Sequence, residues 1–355
     1  MRRRLLTRQP DERRSHRSFY NCMKQLLLLL IVGLSAVAAT AGDVNTLSVV
    51  AYDPINGDWG VAVASHYFAV GSVVPWAEAG VGAIATQANV NVGYGPRGLA
   101  LLRQGMAAKD VLAKLLAEDQ FGPTDGRQVA IVDRKGRVAT YTGPKAAKWA
   151  GDRQGKTWSA QGNNLVSPQV LEAMGKAFEA TQGELAEKLF AALKAGDDAG
   201  GESRGKQSAS ILLVRKRGGR NINNDRYVDI NVDDNPAPIS ELRRLLDINL
   251  GLLYSQKVGP LLIAHQNREA RNAAAQGARY MPTAGSYFAL GTMDYGLGDK
   301  PAALGDFRKA IKLDPAIRKQ LQSSANEIPP GLGVLGRALR QILQDKKFLK
   351  QVSVE

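Results

Sequence analysis

Cysteine and histidine are almost missing from this chain of 355 residues: there is one Cys and there are three His. Cys22 lies within the first 41 residues, so a chain cut after Ala41 has neither disulfide nor thiol chemistry. Only His66 and His265 lie beyond that point. A Cys/His zinc site is thereby excluded, and a His-rich metal site has too few ligands. No metal and no cofactor is expected. Lysine is absent between Lys24 and Lys109, which removes the commonest buried amine base from that whole stretch. Long apolar runs are also lacking. The longest, from Leu26 through the alanines near Ala39, is too short to span a bilayer comfortably.

That apolar run has its own meaning. Met23-Lys24-Gln25 precedes it as a short basic start, and Ala39-Thr40-Ala41 follows as a small-residue cleavage pattern. Residues 1–41 are expected to be a cleaved export signal, giving a periplasmic or secreted product without a stable membrane anchor. The chain has a net charge of +14. Eight basic and two acidic residues precede Gly42, so +8 remains beyond it. The basic residues are dispersed, apart from Arg215-Lys216-Arg217 and Arg220. A focused basic patch interleaved with aromatics is absent, so nucleic acid is not an expected partner.

Small and β-branched residues dominate Thr46 to Gln87. TLSVVAYD, a turn at Asn56-Gly57 and DWGVAVAS predict a hairpin, Pro75-Trp76 reads as a break, and AGVGAIATQ predicts a further strand. So much Gly and Ala beside Val implies strands covered on both faces. Two helices follow, from near Pro96 to Gly105 and from Ala108 to Glu118. Next come strands RQVAIVD, RVATYTG and TWSAQGN, the last ending at Asn163. Helices at 168–180 and 184–195 precede strands SASILLVRK and YVDINVDD. Paired helices between groups of hairpin-linked strands do not fit a doubly wound parallel sheet. They predict an α+β chain whose residues 42–235 form a four-layer αββα sandwich. Beyond Asp233-Asp234-Asn235-Pro236 a small all-α region, 236–355, is expected, with helices at 239–254 and 261–279. Within it Tyr287, Leu290, Gly291, Gly298, Ala303, Phe307, Ala310 and Pro315 follow the spacing of one tetratricopeptide repeat, about 284–317.

Three motifs mimic catalytic signatures. Gly93-Tyr94-Gly95-Pro96-Arg97-Gly98 fits GxGxxG, yet no βαβ unit follows to supply the ribose-binding acid. Gly201-Glu202-Ser203-Arg204-Gly205 fits GxSxG, but it follows a helix and precedes a strand, the reverse of a nucleophile elbow. His66, beside Ser65, is a candidate general base, although a histidine at a strand end is more often structural. Thr46 is the sharper candidate. A threonine opening a buried strand becomes a nucleophile if it is also the first residue, because its own α-amine then serves as base. Amides at neighbouring strand ends, Gln87, Asn89 or Asn91, would receive the oxyanion.

The stretches TLSVVAYDPINGDWGVAVASHYFAVGSVVPWAEAGVGAIATQ, YGPRGLALLRQG, RQVAIVD, WAGDRQG, AQGNNL, LAEKLFAALKAGDDAGGESRGKQSASILLV and VDDNPAPISELRRLLD together resemble domain-of-unknown-function family 1028. That family is placed in the N-terminal-nucleophile hydrolase superfamily, and the resemblance runs from about Thr46 to Tyr254. It implies the same αββα sandwich, and Thr46 as the terminal nucleophile. The sequence departs from the superfamily in two respects. Gly42-Asp43-Val44-Asn45 would still precede Thr46 after export cleavage, so a second cut is needed. The lysine of proteasome-type members is missing, so that role is vacant or filled by His66 or an arginine such as Arg204. The resulting expectation is an exported amidohydrolase acting on a small-molecule or peptide amide. Thr46, Gln87, Asn89 and His66 are its catalytic candidates, with Asn163, Arg204 and Gln207 for substrate. The competing expectation is an inactive sandwich serving as a periplasmic binding or scaffold protein, with the C-terminal repeat as its partner surface. The superfamily resemblance also accommodates a homo-oligomer.

Overall fold

The computed structural model describes residues 46–221, 223–322 and 333–353. The expected export signal, 1–41, lies outside these residues. Thr46–Asp53 (β1) and Asp58–Ser65 (β2) pair antiparallel from Thr46↔Ser65 to Asp53↔Asp58. Asp53 closes the turn by accepting from the Ile55 amide at 2.9 Å and from Asn56 Nδ2 at 2.7 Å. Gly57 takes φ +67°, a left-handed conformation that suits glycine.

Pro75–Glu78 (β3) and Gly82–Ala88 (β4) follow, then helices Tyr94–Arg103 (α1) and Ala108–Ala117 (α2). Arg127–Asp133 (β5), Val138–Thr142 (β6), Gly151–Gln154 (β7) and Trp158–Asn163 (β8) come next. After them stand Gln169–Ala180 (α3), Leu185–Asp198 (α4), Ser208–Arg215 (β9) and Arg226–Val232 (β10). The strands form two antiparallel sheets, in orders β10-β9-β2-β1-β8-β7 and β3-β4-β5-β6. Two of these strands differ from the sequence expectation. The Pro75-Trp76 break is the start of β3, where an edge position leaves proline's missing N–H without cost. Gly151–Gln154, left without an element in the sequence reading, is an edge strand of the larger sheet.

Strand periodicity sorts the side chains into separate cores. Val50, Val61, Val63, Ala83, Ala85, Ala130 and Val132 meet between the sheets. Ile84, Val129 and Ile131 face outward under Leu99 and Leu102 of α1 and Val111 and Leu115 of α2. Leu47, Val49, Ala62 and Ile211 face the opposite way, under Met174 and Phe178 of α3 and Leu189 and Leu193 of α4. The chain is thus a mixed α+β protein with two antiparallel sheets and a helical C-terminal region.

That region starts with a helix longer than expected, Pro238–Ile263 (α5), which runs through Pro260 in its last turn. Its Ile239, Leu242, Leu246, Leu250 and Leu253 are buried in the cluster over the larger sheet. Asn267–Tyr280 (α6), Ala284–Gly296 (α7), Lys300–Leu313 (α8), Ile317–Gln320 (α9), Gly333–Gln344 (α10) and Lys346–Ser353 (α11) complete the chain. Helices α7 and α8 approach closely at Gly291, where a Cβ would lie 3.2 Å from the Ala303 carbonyl oxygen. Among the described residues no helix is long and apolar enough to cross a membrane.

Candidate functional site

Directly opposed residues in an antiparallel sheet share a face, so the register gives the composition of the inner face row by row. At one end, Asn163, Thr46, Ser65 and Ser208 form a row across β8, β1, β2 and β9. The next row is Gln161, Ser48, Val63 and Ser210, and the one after it Ser159, Val50, Val61 and Leu212. Further along, Tyr52, Trp59 and Val214 are apolar neighbours. The smaller sheet repeats the gradient: Gln87, Gln128 and Thr142 in one row, then Ala85, Ala130 and Thr140. The inter-sheet interior is therefore apolar at one end and polar at the other, and Thr46 stands in the outermost polar row.

Apart from the half-buried Thr140 and Thr142 these polar groups are buried, and hydrogen bonds join them across the two sheets. Thr46 Oγ1 donates to Ser65 Oγ at 3.1 Å. Ser48 Oγ accepts from Gln161 Nε2 and donates to Gln87 Oε1, both at 2.6 Å. Gln128 is the hub. Its Oε1 accepts from Gln87 Nε2 at 2.8 Å and from Asn163 Nδ2 at 3.0 Å. Its Nε2 donates to the Gly162 and Gly151 carbonyls and to Thr142 Oγ1. In a low-dielectric interior such bonds polarise one another, and an unmade one is costly.

Thr46, Gln87 and Asn163 are thus brought into one network. The Gln87 amide points its hydrogens at Gln128 Oε1 and, over a long 3.5 Å, at the Thr46 carbonyl. It can serve an oxyanion by giving up the longer bond. Asn89 is exposed, and its carbonyl and Oδ1 accept from Arg127 Nη1. His66 and Arg204 are also exposed and meet at Glu202 instead. The Glu202 carboxylate accepts from the His66 backbone amide at 2.8 Å and from Arg204 Nε at 3.0 Å. Gln207 sits between these groups: its amide N–H donates to the Ser65 carbonyl and its side chain to Asp234 Oδ1.

Gln128, Gln161, Ser48, Ser65 and Glu202 were not singled out from the sequence as site residues. For Gln128 a signal exists in RQVAIVD, where it shares strand parity with Ala130 and Val132 and so must face the same interior. Glu202 lies in the GxSxG lookalike. Its carboxylate is buried, whereas Ser203 is exposed.

A buried ion pair anchors the loop between α2 and β5 beside Asn89. Arg127 Nε meets Asp119 Oδ2 at 2.9 Å, with both side chains nearly inaccessible. Burial alone would raise the Asp119 pKa. Hydrogen bonds from the Tyr94 hydroxyl, Arg127, the Phe121 amide and Asn91 outweigh it and hold the carboxyl at about 2. No group of three or more metal-ligating side chains occurs among the described residues.

Two antiparallel sheets with a polar inner end define an α+β protein whose candidate site lies between the sheets. Its family follows from residues 46–242, which match the model of a family of unknown function, DUF1028. That span is more than half of the chain, and the chain belongs to this family. It begins at Thr46, the first residue of β1. The crystal structure of a Silicibacter pomeroyi protein of the same family is similar at 30% identity and a TM-score of 0.51, covering 57% of this chain and 88% of that one. No protein with a curated description matches.

Proposed function

We propose that the chain is an exported amidohydrolase of the N-terminal-nucleophile type. On this reading the sheets and their outer helices are that superfamily's four-layer αββα sandwich, and helices α7 and α8 are a tetratricopeptide-like pair. The observation that carries the proposal is the position of Thr46. Its side chain opens β1, faces the space between the sheets and heads a buried polar network, while the rest of that interior is hydrocarbon.

Cleavage of the Asn45–Thr46 bond would give Thr46 a free α-amine adjacent to its hydroxyl-bearing carbon. Such an amine titrates near pH ~8 and can take the hydroxyl proton without any histidine. Thr46 Oγ1 then attacks the substrate amide carbon, and the proton passes to the α-amine. The tetrahedral oxyanion is met by Gln87 Nε2, released from the Thr46 carbonyl, and by Asn163 Nδ2. Collapse expels the leaving amine, which takes the proton from the α-ammonium and leaves an acyl ester on Thr46. Water, deprotonated by the same amine, hydrolyses that ester. Ser65 orients the nucleophile, and Gln128 fixes both side-chain amides. The Arg204–Glu202 pair and Gln207 flank the entrance for substrate.

N-terminal sequencing and intact mass of protein recovered from the exported compartment test the proposal. A chain that begins at Thr46, and a Thr46→Ala variant devoid of amidase activity with its fold preserved, are expected. A chain that begins at Gly42 overturns it. The second reading, a non-catalytic binding protein, is favoured by one observation: Thr46 is fully buried and the Gln87 amide is already engaged. A Gly42 start would establish that reading as the better one.

A further inference from the structure

Among the last helices, one groove has a chemistry that neither sheet shares. It measures about 340 Å3 and is lined by Ile311, Leu321, Leu343 and Leu349, with Arg318, Lys346 and Lys350 among them. Volumes of roughly 300–1,000 Å3 are typical of specific ligand pockets. Ile311 and Leu321 are buried and form the floor; Leu343 and Leu349 are half-buried; the three cations are exposed. No carboxylate among the described residues lines the groove.

The surrounding sequence makes this asymmetry stronger. Between Arg308 and Lys350 the chain has ten basic and three acidic residues. Two of the acids are held elsewhere. Asp314 accepts from the Ala316 amide at 2.9 Å. Asp345 accepts from the Tyr295 hydroxyl and from Lys300 Nζ at 2.9 and 2.7 Å. The most apolar positions of α10 and α11 nearest the groove are consumed internally: Ile342, Phe348 and Val352 pack against Tyr295 and Phe307, while Val334 and Leu335 line a separate pocket beside Met293. A membrane surface would need a continuous exposed apolar face on these helices, and Ile342, Phe348 and Val352, which would form its centre, are buried. What is left is a short apolar cleft with a cationic rim, suited to one or two aliphatic side chains flanked by carboxylates.

We infer that this groove binds an acidic peptide segment carrying aliphatic side chains. The leucines and isoleucine take the aliphatic groups, and Arg318, Lys346 and Lys350 pair with the flanking carboxylates. This site is independent of Thr46 and of any hydrolytic activity.

The test is fluorescence anisotropy on the full exported chain with three labelled hexapeptides: Asp-Glu-Leu-Leu-Asp-Glu, Asp-Glu-Ser-Ser-Asp-Glu and Lys-Lys-Leu-Leu-Lys-Lys. Saturable binding of the first, at least tenfold tighter than of the other two and weakening with added salt, is expected. The double variant Arg318→Glu, Lys350→Glu changes only exposed side chains. It should lose at least tenfold in affinity for the first peptide and gain affinity for the lysine peptide, with an unchanged melting temperature. Equal binding of all three peptides, absence of binding, or binding that the double variant leaves intact overturns the inference. So does tight association with phosphatidylglycerol vesicles that the first peptide fails to displace.

Discussion

Gln128 accepts two hydrogen bonds and makes three, so its loss would strand partners on both sheets. Gln128→Ala is expected to cost on the order of 3 kcal/mol, measured by urea denaturation, because each unsatisfied buried group costs ~1–3 kcal/mol. Asp119 makes a pH prediction. Its folded pKa, about 2, lies below the ordinary 3.8. A depressed carboxyl contributes stability that is present above about pH 4 and is lost as pH falls toward 2. Melting temperatures between pH 5 and pH 2 should therefore fall less steeply in Asp119→Asn than in the parent, although the variant starts lower. Thr46 was legible in the sequence as a strand-opening residue, and Asn163 as a strand end. Gln161 was not, because its same-face neighbours Ser159 and Asn163 are polar and such a face ordinarily meets water; Gln128 carried only its parity with Ala130 and Val132. Only a second sheet, opposite the first, makes an inward glutamine intelligible.

At the scale of elements, helix α5 ties the C-terminal region to the sheets. The sequence reading puts a boundary at 235/236, guided by Asp233 to Pro238; in the structure a linker without helix or strand runs from the end of β10 at Val232 to the start of α5 at Pro238. Chain connectivity and packing differ, however: the helix after the linker returns its leucines to the larger sheet. A chain ended at Asn235 would bare Leu213 of β9 and Val228 and Val232 of β10 on that face and is expected to be insoluble. One ended at Ala264 should fold, as circular dichroism and gel filtration can show. Leu246→Ala should destabilise by ~2–5 kcal/mol, the range for emptying a filled core site. Most hairpins were readable because turn residues such as Asn56-Gly57 mark them locally. Of the four edge strands, β3 and β7 were not. Each is only four residues long, and the opening Pro75 of one and the polar GDRQ of the other, which is nowhere fully buried, lack the apolar alternation of a covered strand.

Over the whole molecule, the three sheet-associated clusters are large and contiguous, while the last helices rest on a smaller one built from Phe307, Ile342, Phe348 and Val352. Hydrogen exchange followed by mass spectrometry is expected to show β1, β2, β4 and β5 as the slowest segments. Helices α10 and α11 should open at lower free energy and separately. Equal protection throughout would mean that the two regions unfold as one unit.

The polar rows between the sheets have a further consequence, for alignment. Two sheets that touched only through Val50, Val61, Ala83 and Ala130 would present nearly interchangeable bumps, and one sheet could slide along the other by a residue pair at little cost. Directional bonds from Gln128 to the Gly162 carbonyl, from Asn163 to Gln128 and from Ser48 to Gln87 act as dowels through both layers. They admit a single offset, so the residues that flank Thr46 also set the one alignment in which the two halves of the interior can meet.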